Sequence, residues 1–191
     1  MKIGIFGGAF NPIHLGHLIA VEEMRQQLYL DKVLFVPTYK PPHKKTLTDY
    51  RHRRNMVKLA IKDNSLFELC EIEKEKQGVS WTVNTLKELH KQYPVDILYL
   101  IIGSDQYAVI RNWKEPENLV KYAKVVVMTR PGSKVPRQKQ KSIIFVDISQ
   151  IDIASTEIRN DMSSNKSIRY KVTEDVYEYI KKNKLYTMEE K

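Results

Sequence analysis

The chain carries Gly7-Gly8-Ala9-Phe10-Asn11-Pro12-Ile13-His14-Leu15-Gly16-His17, with two imidazoles three residues apart. At that spacing His14 and His17 share one helix face. A helix start offers unpaired N–H groups and partial positive charge. Gly7 and Gly8 let backbone approach a ligand closely, and Pro12 fixes the turn that follows. Glycine turn, helix start and two imidazoles together suit phosphate oxygens. Other phosphate motifs fail: no Gly-Lys-Ser/Thr marks a P-loop, and Gly4, Gly7 and Gly8 do not make Gly-x-Gly-x-x-Gly. A metal pair would need a third protein ligand, and no nearby Asp or Glu is spaced to supply one. The plain alternative is a pair of capping or packing histidines.

The elements that must hold these histidines are legible as alternating patterns. Ile3 to Phe6 reads as a short buried strand running into the glycines, and Leu15 to Leu28 as a helix with apolar residues at helical spacing. Val33 to Val36 is a second strand, stopped by Pro37, and Thr38 to Thr48 is a Pro- and Lys-rich loop. Thr48 or Asp49 can cap a helix reaching about Ile61, on which Arg51, His52, Arg53 and Arg54 read as a solvated face. Leu66 to Ile72 reads as a third strand, Trp81 to Tyr93 as a helix, and Ile97 to Ile102 as a strand closing on Gly103. A short helix ends at Leu119 to Tyr122. Strands follow at Val125 to Met128 and Ile143 to Val146, and Thr173 to Tyr186 is an amphipathic tail helix. Most strands are continuous apolar runs, buried on both faces, which implies an α/β fold with a parallel sheet. Right-handed crossovers make that sheet doubly wound and Rossmann-like, flanked by helices, with ligands beyond the carboxyl ends of its strands.

Composition bounds the rest. A chain of 191 residues fits one domain, 1–191, with a helical C-terminal part from about 155 to 191 packed on it. Apolar residues make up 42% and charged residues 29%, a globular rather than disordered balance. The single Cys70 excludes a disulfide framework and a cysteine-based zinc site. No apolar run approaches the roughly 20 residues of a membrane span, and no signal-peptide core precedes the first glycines, so a reducing cytoplasm is expected. The formal charge of +9 fits anionic ligands. Its Lys and Arg are scattered and interleaved with acids, however, and no stacking platform or zinc knuckle supports a nucleic-acid partner. A homo-oligomer is left open.

The first segment resembles the nucleotidyltransferases with a His-x-Gly-His motif, relatives of class I aminoacyl-tRNA synthetases. Within them the chain is similar to the bacterial nicotinate-nucleotide adenylyltransferases. The likeness spans nearly the whole chain. It continues at Pro41-Pro42-His43-Lys44, at Ser80-Trp81-Thr82-Val83-Asn84-Thr85 and at Ile101-Ile102-Gly103-Ser104-Asp105. It ends with Trp113, Arg130-Pro131-Gly132 and Ile153-Ala154-Ser155-Thr156-Glu157-Ile158-Arg159. Ala9, Asn11, Asn84 and Ala154 depart from the common pattern and bear on single contacts, not on the reaction class.

The resemblance implies transfer of AMP from ATP to nicotinate mononucleotide, giving nicotinate adenine dinucleotide and pyrophosphate in NAD biosynthesis. His14 and His17 would be catalytic. ATP would meet Gly7, Gly8, Ala9, Phe10, both histidines, Gly103 and Asp105, with Ser155, Thr156 and Arg159 at a further helix start holding its outer phosphates. Asp105, Trp81, Thr82 and Trp113 would take the pyridine nucleotide, and Lys44 and Arg130 its phosphate. Mg²⁺ would come with ATP, bridging phosphates mainly through water, with no protein-bound structural metal. Relatives acting on phosphopantetheine or glycerol phosphate share the first motif but generally lack the Trp81-Thr82 and Trp113 pattern.

Overall fold

The structure, a computed structural model, describes residues 1–42, 47–129 and 142–187. Strand β1 (Lys2–Gly8) leads through the His14 turn into helix α1 (Leu15–Leu28), and β2 (Lys32–Pro37) follows. Helix α2 (Tyr50–Ile61) starts where Asp49 accepts the Arg51 backbone N–H. Next come β3 (Phe67–Leu69), α3 (Ile72–Lys76), α4 (Thr82–Gln92) and β4 (Ile97–Gly103). Helix α5 (Ser104–Ala108), a 3₁₀ turn at Ile110–Asn112 and α6 (Pro116–Tyr122) precede β5 (Lys124–Thr129) and β6 (Ile143–Asp147). The chain then forms α7 (Ser155–Ser163) and α8 (Glu174–Lys182).

All six strands are parallel, in the order β3-β2-β1-β4-β5-β6. Successive side chains on a strand point to opposite faces. Phe6, Ile101 and Val126 therefore join one apolar cluster, while Ile5, Leu100 and Val125 join the other. The first cluster is completed by Met24 of α1, Met56 of α2 and Ile158 of α7, the second by Leu86 of α4 and Leu119 of α6. This double burial is why the strands read as unbroken apolar runs.

Two expected elements come out shorter. The third strand pairs only over Phe67–Leu69, because β3 is an edge strand with one neighbour, and the Glu71 carbonyl then accepts from Lys74 and Glu75 to open α3. Ile72, expected to end that strand, instead buries its side chain from α3 in the second cluster. The tail helix stops at Lys182, and left-handed backbone at Lys184 and Tyr186 (φ 49° and 65°) bends the chain back toward the sheet.

Ile168, Val172, Val176 and Ile180 share the first cluster with residues of β1, β2 and β4. We propose that the C-terminal part folds with the sheet as one unit. Ile180, fully buried, should cost about 2–5 kcal/mol when cut to Ala. Urea unfolding followed by tryptophan fluorescence and circular dichroism should show one shared transition moving to lower urea. A separate early transition in one signal alone would show that the tail folds independently.

Candidate active site

The strand order reverses between β1 and β4, with later strands added outward from each. Such a reversal opens a crevice beyond the carboxyl ends of the strands. A cavity of about 810 Å³ lies there. Gly7, Gly8 and Ala9 border it after β1, Gly103 and Asp105 after β4, and Met128 near the end of β5. Gly8 is fixed by crowding, since a Cβ there would press on the Phe10 ring at 3.1 Å.

His14 and His17 stand on the cavity wall at the start of α1. Their rings stack, with centroids 3.6 Å apart and planes inclined by 28°. His17 Nδ1 accepts the His14 backbone N–H at 3.2 Å. A neutral imidazole that accepts at Nδ1 carries its proton on Nε2, so His17 is a donor at its far nitrogen. Burial brings the His14 pKa down to about 4. Burial first, and the neighbouring His14 second, hold His17 well below the ordinary 6.5. Both rings are thus neutral at pH 7. Below the ordinary pKa the unfolded chain binds a proton that native His14 refuses until about pH 4, so this group's contribution to stability falls as pH drops through that window. Gly16 is needed beside them, because a Cβ would meet His14 Nδ1 at 3.1 Å.

The turn that carries the histidines is gripped from three distant parts of the chain. Arg53 of α2 is 2% exposed. Its Nη1 donates to the Ala9 carbonyl at 2.8 Å and its Nε to the Thr48 carbonyl at 2.8 Å. Ser155 Oγ donates to the Pro12 carbonyl at 2.8 Å, and Arg159 Nη1 to the Asn11 carbonyl at 2.8 Å. Tyr186 donates its hydroxyl to Asn11 Oδ1 at 2.8 Å.

Helix α4 and the residues around its start build another part of the cavity wall. Trp81 precedes its first residue, Thr82, and the first N–H groups of a helix have no partner within it. Trp81, Thr82 and Trp113 all border the cavity. Glu73 braces this end, accepting the Thr85 hydroxyl at 2.9 Å and the Tyr39 N–H at 3.1 Å. Ser80 Oγ accepts the N–H groups of Tyr39 and Lys40 at 3.1 and 3.0 Å. Asp105 lies in the first turn of α5, exposed, with one oxygen accepting from Gln106 at 3.2 Å.

Ten of the expected site residues thus border one cavity: Gly7, Gly8, Ala9, His14, His17, Trp81, Thr82, Gly103, Asp105 and Trp113; Ser104 of the same motif borders it too. Phe10 instead has its ring in the core, edge-on to His17 with centroids 5.5 Å apart. Ser155, Thr156 and Arg159 sit outside the cavity lining, beside the turn, where Arg159 also donates to Thr156 Oγ1 at 3.1 Å. Lys44 and Arg130 lie outside the described residues. Among the described residues no three His, Cys, Asp or Glu converge as a cation cage, and no helix is long and apolar enough to cross a membrane.

The solvated-face reading of α2 is corrected. Arg51 is exposed, but Arg54 pairs with Glu71 at 2.8 Å, His52 Nδ1 lies 3.0 Å from the Tyr179 hydroxyl, and Arg53 is interior. A signal existed: Arg53 precedes Met56 and Val57 by three and four residues, which puts it on the buried stripe. Glu73 offered none, because its partners are distant in sequence. Arg53→Met should orphan the Ala9 and Thr48 carbonyls, at about 1–3 kcal/mol each. The urea midpoint should fall accordingly, and an unchanged midpoint would remove Arg53 from the clamp.

The chain matches the cytidylyltransferase-like family over residues 5–169. It is 39% identical over 186 residues to a probable nicotinate-nucleotide adenylyltransferase of Thermus thermophilus, covering 97% of this chain and 100% of that one. It is 44% identical over 188 residues to a probable nicotinate-nucleotide adenylyltransferase of Lactiplantibacillus plantarum, covering 97% and 88%. A solved structure of Plasmodium falciparum nicotinic acid mononucleotide adenylyltransferase complexed with NaAD superposes with a TM-score of 0.83 at 24% identity, covering 97% of each chain, and shares the fold.

Proposed function

The chain belongs to the cytidylyltransferase-like family, and from that premise we propose that it is a nicotinate-nucleotide adenylyltransferase, moving AMP from ATP onto nicotinate mononucleotide. The products are nicotinate adenine dinucleotide and pyrophosphate, in NAD biosynthesis. The observation that carries the site assignment is that one cavity joins the neutral histidine pair to Trp81, Thr82 and Trp113.

A phosphate oxygen of the mononucleotide attacks the α-phosphorus of ATP. A new P–O bond forms, the bond from the α-phosphorus to the bridging oxygen breaks, and its electron pair leaves with pyrophosphate. The nucleophile is already ionised at pH 7, so no protein base is needed. Catalysis is then positioning and electrostatic stabilisation. His14 and His17 donate to phosphate oxygens and steady charge gathering on the α-phosphate. Gly7, Gly8 and Ala9 bring backbone close to the phosphates, and Gly103 lets the adenosine approach the end of β4. Asp105 accepts from a sugar hydroxyl or orients the cationic pyridine. Thr156, exposed at the start of α7 outside the lining, would meet outer phosphates that extend past the cavity, while Ser155 and Arg159 fix the turn beside it.

Trp81 and Trp113 stack on the pyridinium ring, an attraction of roughly 0.5–2 kcal/mol. The Thr82 hydroxyl and the N–H groups opening α4 hold its carboxylate. Mg²⁺ would arrive on ATP: of the two carboxylates on the described lining, Glu73 accepts from Thr85 and Tyr39, while exposed Asp105 could approach the ion through water. When bound, Mg²⁺ neutralises phosphate charge. Such a reaction belongs in the cytoplasm, where ATP is found.

The test is pyrophosphate release from ATP and Mg²⁺, with nicotinate mononucleotide and nicotinamide mononucleotide in parallel. Release should be strong with the first and weak with the second, and His17→Ala should lower kcat by about a hundredfold or more. No release with nicotinate mononucleotide would overturn the assignment. An unchanged kcat in His17→Ala would remove the histidine role.

A further inference from the structure

The proposed reaction brings two anions into one cavity, yet the described lining is poor in positive charge. It holds two carboxylates, Glu73 and Asp105, and two imidazoles held neutral. Among the described residues, Lys114 is the only Lys or Arg on that lining. Its position is specific: Nζ lies 5.6 Å from the centroid of the Trp81 ring, at the end where α4 begins. Lys114 itself is exposed, so its ammonium is carried to the cavity edge on an aromatic face rather than tied to an acid in the interior.

We infer that Lys114 is a specificity-determining residue, the cation by which this site prefers a pyridine carboxylate over the matching amide. This rests on the placement of the pyridine ring at Trp81 and Trp113. Backbone and hydroxyl donors discriminate only in part, because an amide carbonyl accepts from them as a carboxylate oxygen does. The amide is neutral and gains no Coulomb attraction from an ammonium; the carboxylate gains it in full. Without Lys114 the charges on the described lining would be Glu73 and Asp105 alone, both of which repel a carboxylate. A group near solvent acts through screened electrostatics, so the effect is moderate and depends on salt.

The measurement is the ratio of kcat/KM for nicotinate mononucleotide to that for nicotinamide mononucleotide, with ATP and Mg²⁺ saturating. Lys114→Met keeps a stem able to lie on Trp81 but removes the charge. The ratio should fall about three- to tenfold in that variant and further in Lys114→Glu, and Lys114→Arg should hold it near wild type. Added salt should compress the wild-type ratio and leave that of Lys114→Met nearly constant. Circular dichroism and the urea midpoint establish that each variant is folded. A ratio unchanged in folded Lys114→Met and Lys114→Glu would overturn the inference, as would an equal loss on both substrates, which marks packing alone. Those outcomes leave the proposed activity standing. A wild-type protein inactive on nicotinate mononucleotide would overturn the activity and this inference together.

Discussion

Four side chains, from α2, α7 and the segment after α8, donate to a single buried turn between β1 and α1. The turn exists because the chain must leave β1 and present the start of α1 to the crevice. Asn11 there is 6% exposed, so its polar groups are largely cut off from water. Buried backbone carbonyls need partners, and this turn has no ladder to supply them. Arg53, Ser155 and Arg159 supply them for Ala9, Pro12 and Asn11, and Tyr186 takes the Asn11 side chain. The C-terminal third of the chain is thereby joined to the first dozen residues. Helix α7 reaches the turn through two donors, and the bend after α8 exists to deliver Tyr186.

Burial at the start of α1, beside that turn, sets the state of the histidines. Stacked at 3.6 Å and shielded from water, the two rings cannot readily both be charged. They stay neutral, and the His14 N–H at His17 Nδ1 keeps the His17 proton on Nε2. On the proposed function, a polyphosphate entering the cavity would meet a fixed donor that need not reorient, which is preorganisation of the kind phosphoryl transfer rewards. The same logic divides labour along the cavity. On that proposal the histidines would work through oriented dipoles, whereas beside Trp81 a full charge, Lys114, stands over an aromatic ring.

The sheet was open to reading from sequence because every strand is buried on both faces, and α1 runs from Leu15 to Leu28 as its spacing implies. Edges were less legible. Strand β3 is short because it has one neighbour, a fact of topology that Leu66 to Ile72 cannot announce. The residues after β1 and β4 were marked by glycine, proline and histidine, and they do border one cavity. What stayed hidden was the support. A run such as Arg51 to Arg54 looks solvated until the Ala9 and Thr48 carbonyls arrive from elsewhere in the chain to meet Arg53. Glu73, Thr85 and Tyr39 likewise meet only through the fold. Ser155 and Arg159 read from sequence as phosphate-holding residues at a helix start, but their grip on the turn depends on a contact about 150 residues away in sequence, beyond any local pattern.

Nitrogen NMR of the protein labelled in its histidines reads whether the two rings are neutral and where each proton sits. Across a pH titration without ligands, His17 should keep a bare Nδ1 and a protonated Nε2 well below pH 6.5, and His14 should take up its proton only around pH 4. Titration of either ring near 6.5, as for a free imidazole, or a His17 proton on Nδ1, would show that the pair is not held neutral in this arrangement.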